Sequence, residues 1–431
     1  MKPRALIAGV VLGGSLVAGG LLMQSGAWRE AGAAGASSPA ATARLLDEVM
    51  SRIGADYIDT LSRDEMLRRS AVGVVKELGD PYSVLLTPER YKQLGETTTG
   101  RYPGVGLALD LRDEVVTVIA ALIGTPADSA GIVSGDHILA VDGKPTRGLT
   151  MEEVQRQLRG VAGTKVKLSV ERLGDRRDVT LTRRVIVYHP VQRAQVAGSV
   201  GYVQLATFSE DAAAEVRRAV DSLRARGARS LILDLRANPG GLLEQGIEVS
   251  DLFLDRGKSI VSTHGRTAEA DRVFRDETAQ RWADMPMIAL VDSGTASASE
   301  IVAGALQDND RAVLVGARTY GKGSAQSVFP VSGGYGLKLT TARWFTPGGR
   351  TIARDSTSGG ITPDVFVPDT AVKGVPVRTD TLNKMPGEPA TRTFRVGARS
   401  TWQDPVVVRA VQLLEGAASP AALRSRVPRK K

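Results

Sequence analysis

From residue 200 to residue 315 the sequence alternates short apolar segments with longer amphipathic ones. The short segments are rich in Val, Ile and Leu and have the length of strands, whereas the longer ones repeat their apolar residues with helical spacing. Because parallel strands need crossover connections, which are usually helices, this order predicts an α/β sheet. Catalytic and binding residues of such sheets gather at the carboxyl ends of the strands. We predict strands at 200–205, 231–235, 287–291 and 312–315, and helices at 212–226, 243–253 and 299–307.

Two of these strand ends carry residues that suit acyl-transfer chemistry. Residues 234–241 read DLRANPGG and enter a helix, so the glycine N–H groups can face an anion, although alone this pattern is better explained as an ordinary turn. Residues 291–300 read VDSGTASASE. Here Ser297 and Glu300 fit a capping box, and Ser299 is an alternative cap. A serine at a helix start can also be a nucleophile, so the pattern alone leaves both interpretations open.

The segment after the fourth strand, GARTYGKGSAQ at 316–326, nearly spells a phosphate-binding loop. Gly323 stands, however, where that loop requires Ser or Thr. The alternating residues at 328–331 and 337–341 also predict strands, whereas a phosphate-binding loop is followed by a helix. We therefore do not expect a nucleotide-binding function.

The small number of histidines makes a lysine base attractive. Only His137, His189 and His264 occur, and His264 alone lies within the α/β part. A serine nucleophile needs an adjacent base, and Ser-Lys pairs are an established alternative to Ser-His. A lysine can serve only where burial or nearby positive charge lowers the pKa of its amine from about 10.4. An exposed Lys322 would be only a surface charge.

Between residues 100 and 187 the pattern changes to short β segments, with one amphipathic helix at 151–158 and Thr150 as its predicted N-cap. The segment opens with Gly104-Val105-Gly106-Leu107. These residues resemble the start of a PDZ domain, in which such a turn lets backbone N–H groups approach a chain-terminal carboxylate and the adjoining strand edge accepts a peptide by β-augmentation. A dinucleotide fingerprint is the rival interpretation, but its third glycine is lacking and no helix follows. The segment resembles a PDZ domain of the bacterial protease type.

The amino terminus has the features of an export signal. Lys2 and Arg4 precede an uncharged apolar stretch at 5–23, and a segment rich in Ala, Gly and Ser follows. The stretch is just long enough to span a bilayer, while small residues at 31–36 offer cleavage sites. We favour an uncleaved anchor with the body outside the cytoplasm. We therefore expect a protein of the periplasm or cell envelope, attached to the cytoplasmic membrane.

Composition excludes several other classes. Cysteine is absent, which rules out disulfides and a cysteine nucleophile. The net charge of +9 is mostly scattered, and aromatic residues make up only 4% of the chain. We therefore expect no nucleic-acid partner.

The organisation of the chain follows from these segments. Residues 42–79 repeat apolar residues with helical spacing, and we assign a helical amino-terminal module there. We expect 1–24 to be a signal peptide or membrane anchor, 25–41 a flexible linker, 42–95 the helical module, 96–187 the PDZ domain, 188–370 the α/β core with part of 78–95 also assignable to it, and 371–431 a carboxyl-terminal extension with a helix at 404–415 and a basic tail.

The chain as a whole resembles the C-terminal processing peptidases, also called tail-specific proteases. The similarity runs from LGDPYS at 78–83 to GITPD at 360–364, and it is most specific at ASASEIVAGALQD (296–308) and TYGKG (319–323). Tyr320 departs from the phenylalanine common in the family. The resemblance implies a multidomain α/β fold, with a crotonase-like or ClpP-like peptidase core and an inserted PDZ domain. It also implies that Ser297 is the nucleophile, Lys322 the base and Gln326 the residue that orients the lysine.

The same resemblance implies an oxyanion hole formed by the backbone N–H groups of Gly241 and Ala298. It implies a serine endopeptidase that captures apolar C-terminal tails of substrate proteins through residues 104–107 and cleaves near the C-terminus, with no metal or organic cofactor. Arg159, at the end of the PDZ helix, is a candidate regulatory residue. An activating or adaptor protein and a homo-oligomer are candidate partners. The alternative function is a catalytically inactive PDZ scaffold that only binds peptides.

Overall fold

The computed structural model describes residues 39–112, 114–354, 359–368 and 401–427. The predicted export signal lies outside these residues, as do residues 25–38 of the predicted linker. Within the described ranges, no helix is both long and apolar enough to cross a bilayer. The chain divides into two compact units between Val74 and Val75.

The described part of the first unit is a pair of helices, α1 (Pro39–Asp56) and α2 (Arg63–Lys76, which runs into the second unit). Ser62 accepts a hydrogen bond from the N–H of Glu65 and so caps α2. Arg63 forms an ion pair of 2.7 Å with Asp47 of α1. These contacts hold the two helices together at the end where α2 begins.

The second unit starts with β1 (Val84–Leu86), α3 (Pro88–Thr99) and β2 (Arg101–Gly104). Thr87 accepts a hydrogen bond from Arg90 at the start of α3, and Gly100 ends the helix with a left-handed φ of 67°. β2 pairs antiparallel with β9 (Arg184–Val187). The strands β2 and β9 therefore enclose the PDZ-like segment at both of its ends.

The PDZ-like segment is an antiparallel sheet in the order β3-β4-β5-β7-β8, with β6 on β5. Its helix α5 begins at a capping box formed by Thr150 and Glu153, as the spacing predicted for Thr150. The apolar residues of α5 and of the sheet form a separate core cluster. The elements are β3 (Leu107–Arg112), β4 (Val115–Ala121), α4 (Pro126–Ser129), β5 (His137–Val141), β6 (Lys144–Pro145), α5 (Met151–Leu158), β7 (Lys165–Arg172) and β8 (Asp175–Thr182).

Over the residues that the structure describes, the predicted α/β sheet has six strands in the order β10-β11-β12-β15-β16-β19. The last five are parallel to their neighbours, and β10 is antiparallel to β11. Helices α6, α7 and α8 cover one face. The elements are β10 (Val191–Ala197), β11 (Val200–Leu205), α6 (Ala212–Ala225), β12 (Ser230–Asp234), α7 (Leu243–Asp251), β15 (Met287–Val291), α8 (Ala298–Asp308), β16 (Val313–Gly316) and β19 (Val365–Phe366).

The carboxyl-terminal helices cover the other face of this sheet. Alternate strand residues such as Tyr202 and Ile232 pack there against α9 (Pro405–Leu414) and α10 (Pro420–Arg424). With both faces buried, strands such as Ser230–Asp234 have no exposed position. The expectation of a multidomain α/β chain is confirmed.

A second sheet stands beside the first and carries the loop with Lys322. Its order is β1-β18-β13-β14, and β17 also pairs with β18. Gly323 is followed by strand β17, so the segment that resembles a phosphate-binding loop lacks the helix of one. The elements are β13 (Ser259–Gly265), β14 (Arg272–Arg275), β17 (Ser324–Pro330) and β18 (Gly336–Phe345).

Candidate active site

Ser297 lies in the turn between the carboxyl end of β15 and the start of α8. Its backbone has φ 57° and ψ −119°, a conformation that non-glycine residues rarely adopt and that costs about 1–3 kcal/mol. Its N–H donates to the Glu300 carboxylate at 2.9 Å. The turn thus presents Ser297 at a helix amino terminus, where developing negative charge is stabilised.

The Glu300 carboxylate joins the Ser297 turn to the Lys322 loop. Its Oε2 accepts from the N–H groups of Ser297 and Lys322, both at 2.9 Å, and its Oε1 accepts from the Thr319 hydroxyl at 2.5 Å and the Gly321 N–H at 2.7 Å. The side chain is fully buried. Burial raises the pKa of Glu300, while these four donors act in the opposite direction. Glu300 therefore does more than cap α8.

Lys322 is a buried lysine with an exposed fraction of 7%. Its Nζ lies 5.4 Å from the centroid of the Tyr82 ring, within the range of a cation–π contact. Its carbonyl accepts a hydrogen bond from the Trp344 indole at 2.9 Å. The lysine is therefore not the loop charge that an exposed side chain would be, and its backbone is fixed on both sides.

The turn at 237–241 packs directly against Ser297. A Cβ atom on Gly240 would lie 2.8 Å from the Ser297 Cβ and 2.9 Å from the Ala298 nitrogen, so only glycine fits. The buried Asn238 holds the turn, because its carbonyl accepts from the Ala296 N–H and the Ser299 hydroxyl. Ser299 is therefore used in this contact. The two glycine- and serine-bearing strand ends form one structure.

The geometry of this turn distinguishes its two glycines. The Gly240 N–H donates to the Asn238 side chain at 2.9 Å. Gly241 forms a parallel bridge with Phe208, in which Phe208 bonds to the Gly240 carbonyl and the Leu242 N–H. The N–H of the bridging residue itself points away from Phe208. The Ala298 N–H is in the first turn of α8, where helix N–H groups have no partner within the helix. The oxyanion hole at Gly241 and Ala298 stays a prediction.

Gln326 lies on β17, four residues beyond Lys322. Its amide donates to the hydroxyls of Ser324 at 3.0 Å and Thr340 at 3.2 Å. These bonds fix the side chain at the wall of a cavity of about 1890 Å³. Ser297, Lys322, Gly241 and Ala298 line the same cavity. The predicted catalytic residues therefore line one cavity.

Comparisons with known proteins identify the family. The model of peptidase family S41 matches residues 199–367, and a PDZ domain model matches residues 117–172. A carboxyl-terminal-processing protease of Picosynechococcus is 42% identical over 317 residues, covering 71% of this chain and 74% of that protein. The carboxy-terminal-processing protease of Bartonella bacilliformis is 36% identical over 326 residues, covering 74% of each.

The chain belongs to the carboxyl-terminal processing proteases of family S41. It is a serine-type endopeptidase with a PDZ domain. The solved structure of a putative S41 protease from Bacteroides fragilis has the same fold, with a TM-score of 0.51 and 17% identity over 86% of this chain and 97% of that one.

The turn at 104–107, which we predict to bind peptides, lies at the cavity of this S41 protease. Gly104, Val105, Gly106 and Leu107 line it, together with residues of α5. Gly106 has a left-handed φ of 82°, and a Cβ atom there would lie 2.3 Å from Thr125. In the described part of the chain, β3 pairs only with β4, so its other edge is unpaired there, and residues 107–109 of β3 line the cavity together with residues of α5. This is the arrangement by which PDZ domains bind C-terminal tails.

Arg159 contacts the segments that connect the PDZ domain to the rest of the protease. It forms an ion pair with Glu96 of α3, and its guanidinium lies 5.3 Å from the centroid of the Tyr102 ring on β2. These contacts join the end of α5 to α3 and β2, which precede the PDZ domain in the chain. Its regulatory role stays a prediction.

Several residues of the protease site were not predicted as such from the sequence. Tyr82 and Trp344 lie far from Lys322 in the chain, and only the folded sheet brings them together. Glu300 was interpreted only as a helix cap, and no role was predicted for Asn238. Its position directly before Pro239-Gly240-Gly241 was the available signal. Among the described residues, no group of three or more His, Cys, Asp or Glu side chains could hold a metal ion.

Proposed function

We propose that this protease cleaves proteins near their C-terminus with Ser297 as the nucleophile and Lys322 as its base. The observation that carries the proposal is the double contact of Glu300, which bonds to the N–H groups of both residues. Their turns are thereby fixed against each other at one cavity. Neither residue has a histidine as an obvious alternative base, because His264 is exposed and paired with Asp271.

In the first step, the neutral amine of Lys322 accepts the hydroxyl proton of Ser297 as Oγ attacks the carbonyl carbon of the scissile bond. The carbonyl oxygen becomes an oxyanion, and we assign its stabilisation to the N–H groups of Gly241 and Ala298. This step requires the amine of Lys322 to be neutral, and the side chain that carries it is buried. Gln326 fixes the strand that follows the lysine and is the candidate for orienting it.

Collapse of the tetrahedral intermediate breaks the C–N bond, and the Lys322 ammonium returns its proton to the leaving amine. The product is an ester of Ser297. Water then attacks this ester, with Lys322 again accepting a proton, and the second collapse releases the acid and restores the serine hydroxyl. No residue other than Ser297 and Lys322 is required for proton balance, because the two backbone donors only form hydrogen bonds.

The PDZ domain would supply the substrate. We propose that the N–H groups of residues 104–107 bind the terminal carboxylate of an apolar tail, which pairs with the open edge of β3. The groove and the catalytic residues line the same cavity, so a tail held at β3 can extend towards Ser297.

Location and partners are proposals from the sequence. The apolar stretch at 5–23 behind Lys2 and Arg4 supports export and attachment to the cytoplasmic membrane in the periplasm or cell envelope. Membrane fractionation of cells that express the full chain tests this attachment, and extraction by carbonate would contradict it. An activating or adaptor protein and a homo-oligomer are further proposals, and sedimentation of the purified protease tests the oligomer.

Degradation of a reporter protein with an apolar C-terminal tail tests the proposed function. Wild type and Lys76→Ala, which changes an exposed lysine of α2, are expected to cleave it. Ser297→Ala and Lys322→Ala are expected to bind the tail with unchanged affinity and to lose cleavage by at least about a thousandfold. Continued cleavage by either variant would refute the Ser-Lys pair, and tail binding without any cleavage by wild type would favour the scaffold function.

A further inference from the structure

Arg236 connects the carboxyl end of β12 to the carboxyl-terminal helices. Its Nη1 lies 3.1 and 3.0 Å from the two carboxylate oxygens of Asp404, and its Nε and Nη2 bond to Asp234. Asp234 is fully buried and also accepts from the Tyr202 hydroxyl at 2.7 Å. A single guanidinium thus bridges two carboxylates from parts of the chain about 170 residues apart.

Asp404 has a second task at the start of α9. Its Oδ1 accepts from the N–H groups of Val406 at 2.9 Å and Val407 at 3.2 Å, which makes it the N-cap of the helix. Beside it, the Trp402 ring meets the Tyr202 ring edge-on, with centroids 6.1 Å apart. The carboxyl-terminal helices are therefore attached to β11 and β12 at the end of the sheet that carries the active site.

Arg236 is two residues from Asn238, the residue that holds the turn against Ser297. Between them, Ala237 has a φ of 56°, and its N–H donates to Asp292 at 2.9 Å. The left-handed backbone of Ala237 is strained, and local interactions alone do not favour it. The residue that flanks Ala237 must therefore be held in place by other contacts. The ion pair with Asp404 holds Arg236 from the carboxyl-terminal helices, whereas Asp234 and Asp292 hold this segment from the strand ends.

We propose that Asp404 is a positioning residue for the turn at 237–241, and that residues 401–427 are a working part of the peptidase. These residues lie beyond the 199–367 that match the family model. Loss of the Asp404 charge would free one side of the Arg236 guanidinium and let the turn move. The inference rests on the proposed function only in that the Gly241 N–H is taken as an oxyanion donor.

Two substitutions at one position separate the ion pair from the helix cap. Asp404→Asn keeps a good N-cap but removes the charge that pairs with Arg236. Asp404→Glu keeps the charge with a weaker cap. Ser419→Asn is the control, because Ser419 caps α10 through the Ala422 N–H and has no recorded contact with Arg236 within the described residues.

Amide hydrogen exchange of the full-length protease measures the turn without requiring activity. In Asp404→Asn, amides at 236–242 are expected to exchange at least about fivefold faster than in wild type. Asp404→Glu should change this segment less and α9 more, and Ser419→Asn should change neither. Unchanged exchange at 236–242 in Asp404→Asn would overturn the proposal, as would the reverse pattern between the Asn and Glu variants. Failure of both variants to fold would also overturn it, because Asp404 would then be only a folding residue.

Kinetics with the tailed reporter provide the functional readout. Asp404→Asn is expected to lower kcat by about ten- to a hundredfold with KM little changed. The reason is that displaced N–H donors of the turn stabilise the oxyanion of the transition state less well and leave substrate binding unaffected. The affinity of a peptide aldehyde, which forms a tetrahedral adduct with the serine, should fall by the same factor. A rise in KM with kcat unchanged would overturn the positioning role. Absence of cleavage by wild type would instead refute the proposed function, and the exchange pattern would still decide the role of Asp404.

Discussion

Replacement of Glu300 by glutamine tests whether its carboxylate positions the catalytic pair. The carboxylate accepts two hydrogen bonds on each oxygen, and all four donors are buried or nearly so. A glutamine has the same shape, but one of its oxygens becomes an NH₂ group that can only donate. Two of the four bonds must therefore be lost or reversed.

The less costly orientation places the NH₂ group at the Oε1 position. There the Thr319 oxygen, which already accepts from the Ile361 N–H, can accept a second hydrogen bond if its own proton turns away, whereas the Gly321 N–H faces another donor. The opposite orientation would leave the N–H groups of both Ser297 and Lys322 without an acceptor. One unsatisfied buried N–H costs about 1–3 kcal/mol, so we expect Glu300→Gln to fold with its free energy of unfolding lowered by that amount.

The functional effect should exceed the loss of stability. Gly321 precedes Lys322, so displacement of its N–H moves the lysine, and we expect kcat to fall by about a hundredfold with tail binding unchanged. Urea unfolding and steady-state cleavage of the tailed reporter measure the two effects. Glu65→Gln is the matched control, because within the described residues the Glu65 carboxylate accepts hydrogen bonds from Arg68 and Arg69 of α2 and contacts no part of the site. A stable Glu300→Gln protease with the kcat of wild type would refute the reasoning.

Three further substitutions probe separate parts of the structure. Gly240→Ala should lower kcat by more than about a hundredfold while tail affinity is retained, because its Cβ would collide with Ser297; a normal kcat would show that the turn adapts. Gly106→Ala should lower tail affinity at least about tenfold, measured by fluorescence anisotropy, because of the collision with Thr125, and should leave hydrolysis of a short untailed peptide unchanged. Burial raises the pKa of Asp276 to about 7, with the Asp251 carboxylate adding to this effect, so the native protein keeps a proton that the unfolded chain loses. The free energy of unfolding should therefore fall as the pH rises from about 4 to about 7. Urea unfolding of Asp276→Asn should show a smaller fall over this range. An identical pH dependence of the two proteins would contradict the assignment.

The sequence predicted the α/β part well because both faces of the sheet are buried. Strands with uninterrupted apolar residues, such as 287–291, and helices with regular spacing, such as 212–225, leave little choice of element. Their observed bounds differ from the predicted ones by at most two residues. The PDZ helix and its cap at Thr150 were predicted for the same reason, since capping is a local interaction.

The contacts that depend on distant pairing could not be predicted. The sequence alone did not tell that β1, at 84–86, pairs with β18, which brings Tyr82 to Lys322. Helix caps also concealed longer contacts. Glu300 and Asp404 both satisfy local capping patterns, and a pattern of four residues carries no information on a second partner that lies 19 or 168 residues away.

The same reason explains the carboxyl-terminal helices. A helix at 404–415 was expected from its own residues, and the structure has α9 at Pro405–Leu414. The residues of this helix alone do not indicate that it packs on the second face of the sheet. The family resemblance supplied the roles of Ser297 and Lys322, and the residues alone left a helix cap and a surface charge as competing interpretations.

Active-site labelling measures the proposed catalytic pair most directly. A peptidyl fluorophosphonate reacts with an activated serine, and mass spectrometry of the digested protein locates the adduct. We predict a single adduct on Ser297 of the wild-type protease, formed at least about a hundredfold more slowly in Lys322→Ala and at the wild-type rate in Lys76→Ala. An adduct on another residue, or an undiminished rate in Lys322→Ala, would contradict the account of a serine activated by Lys322.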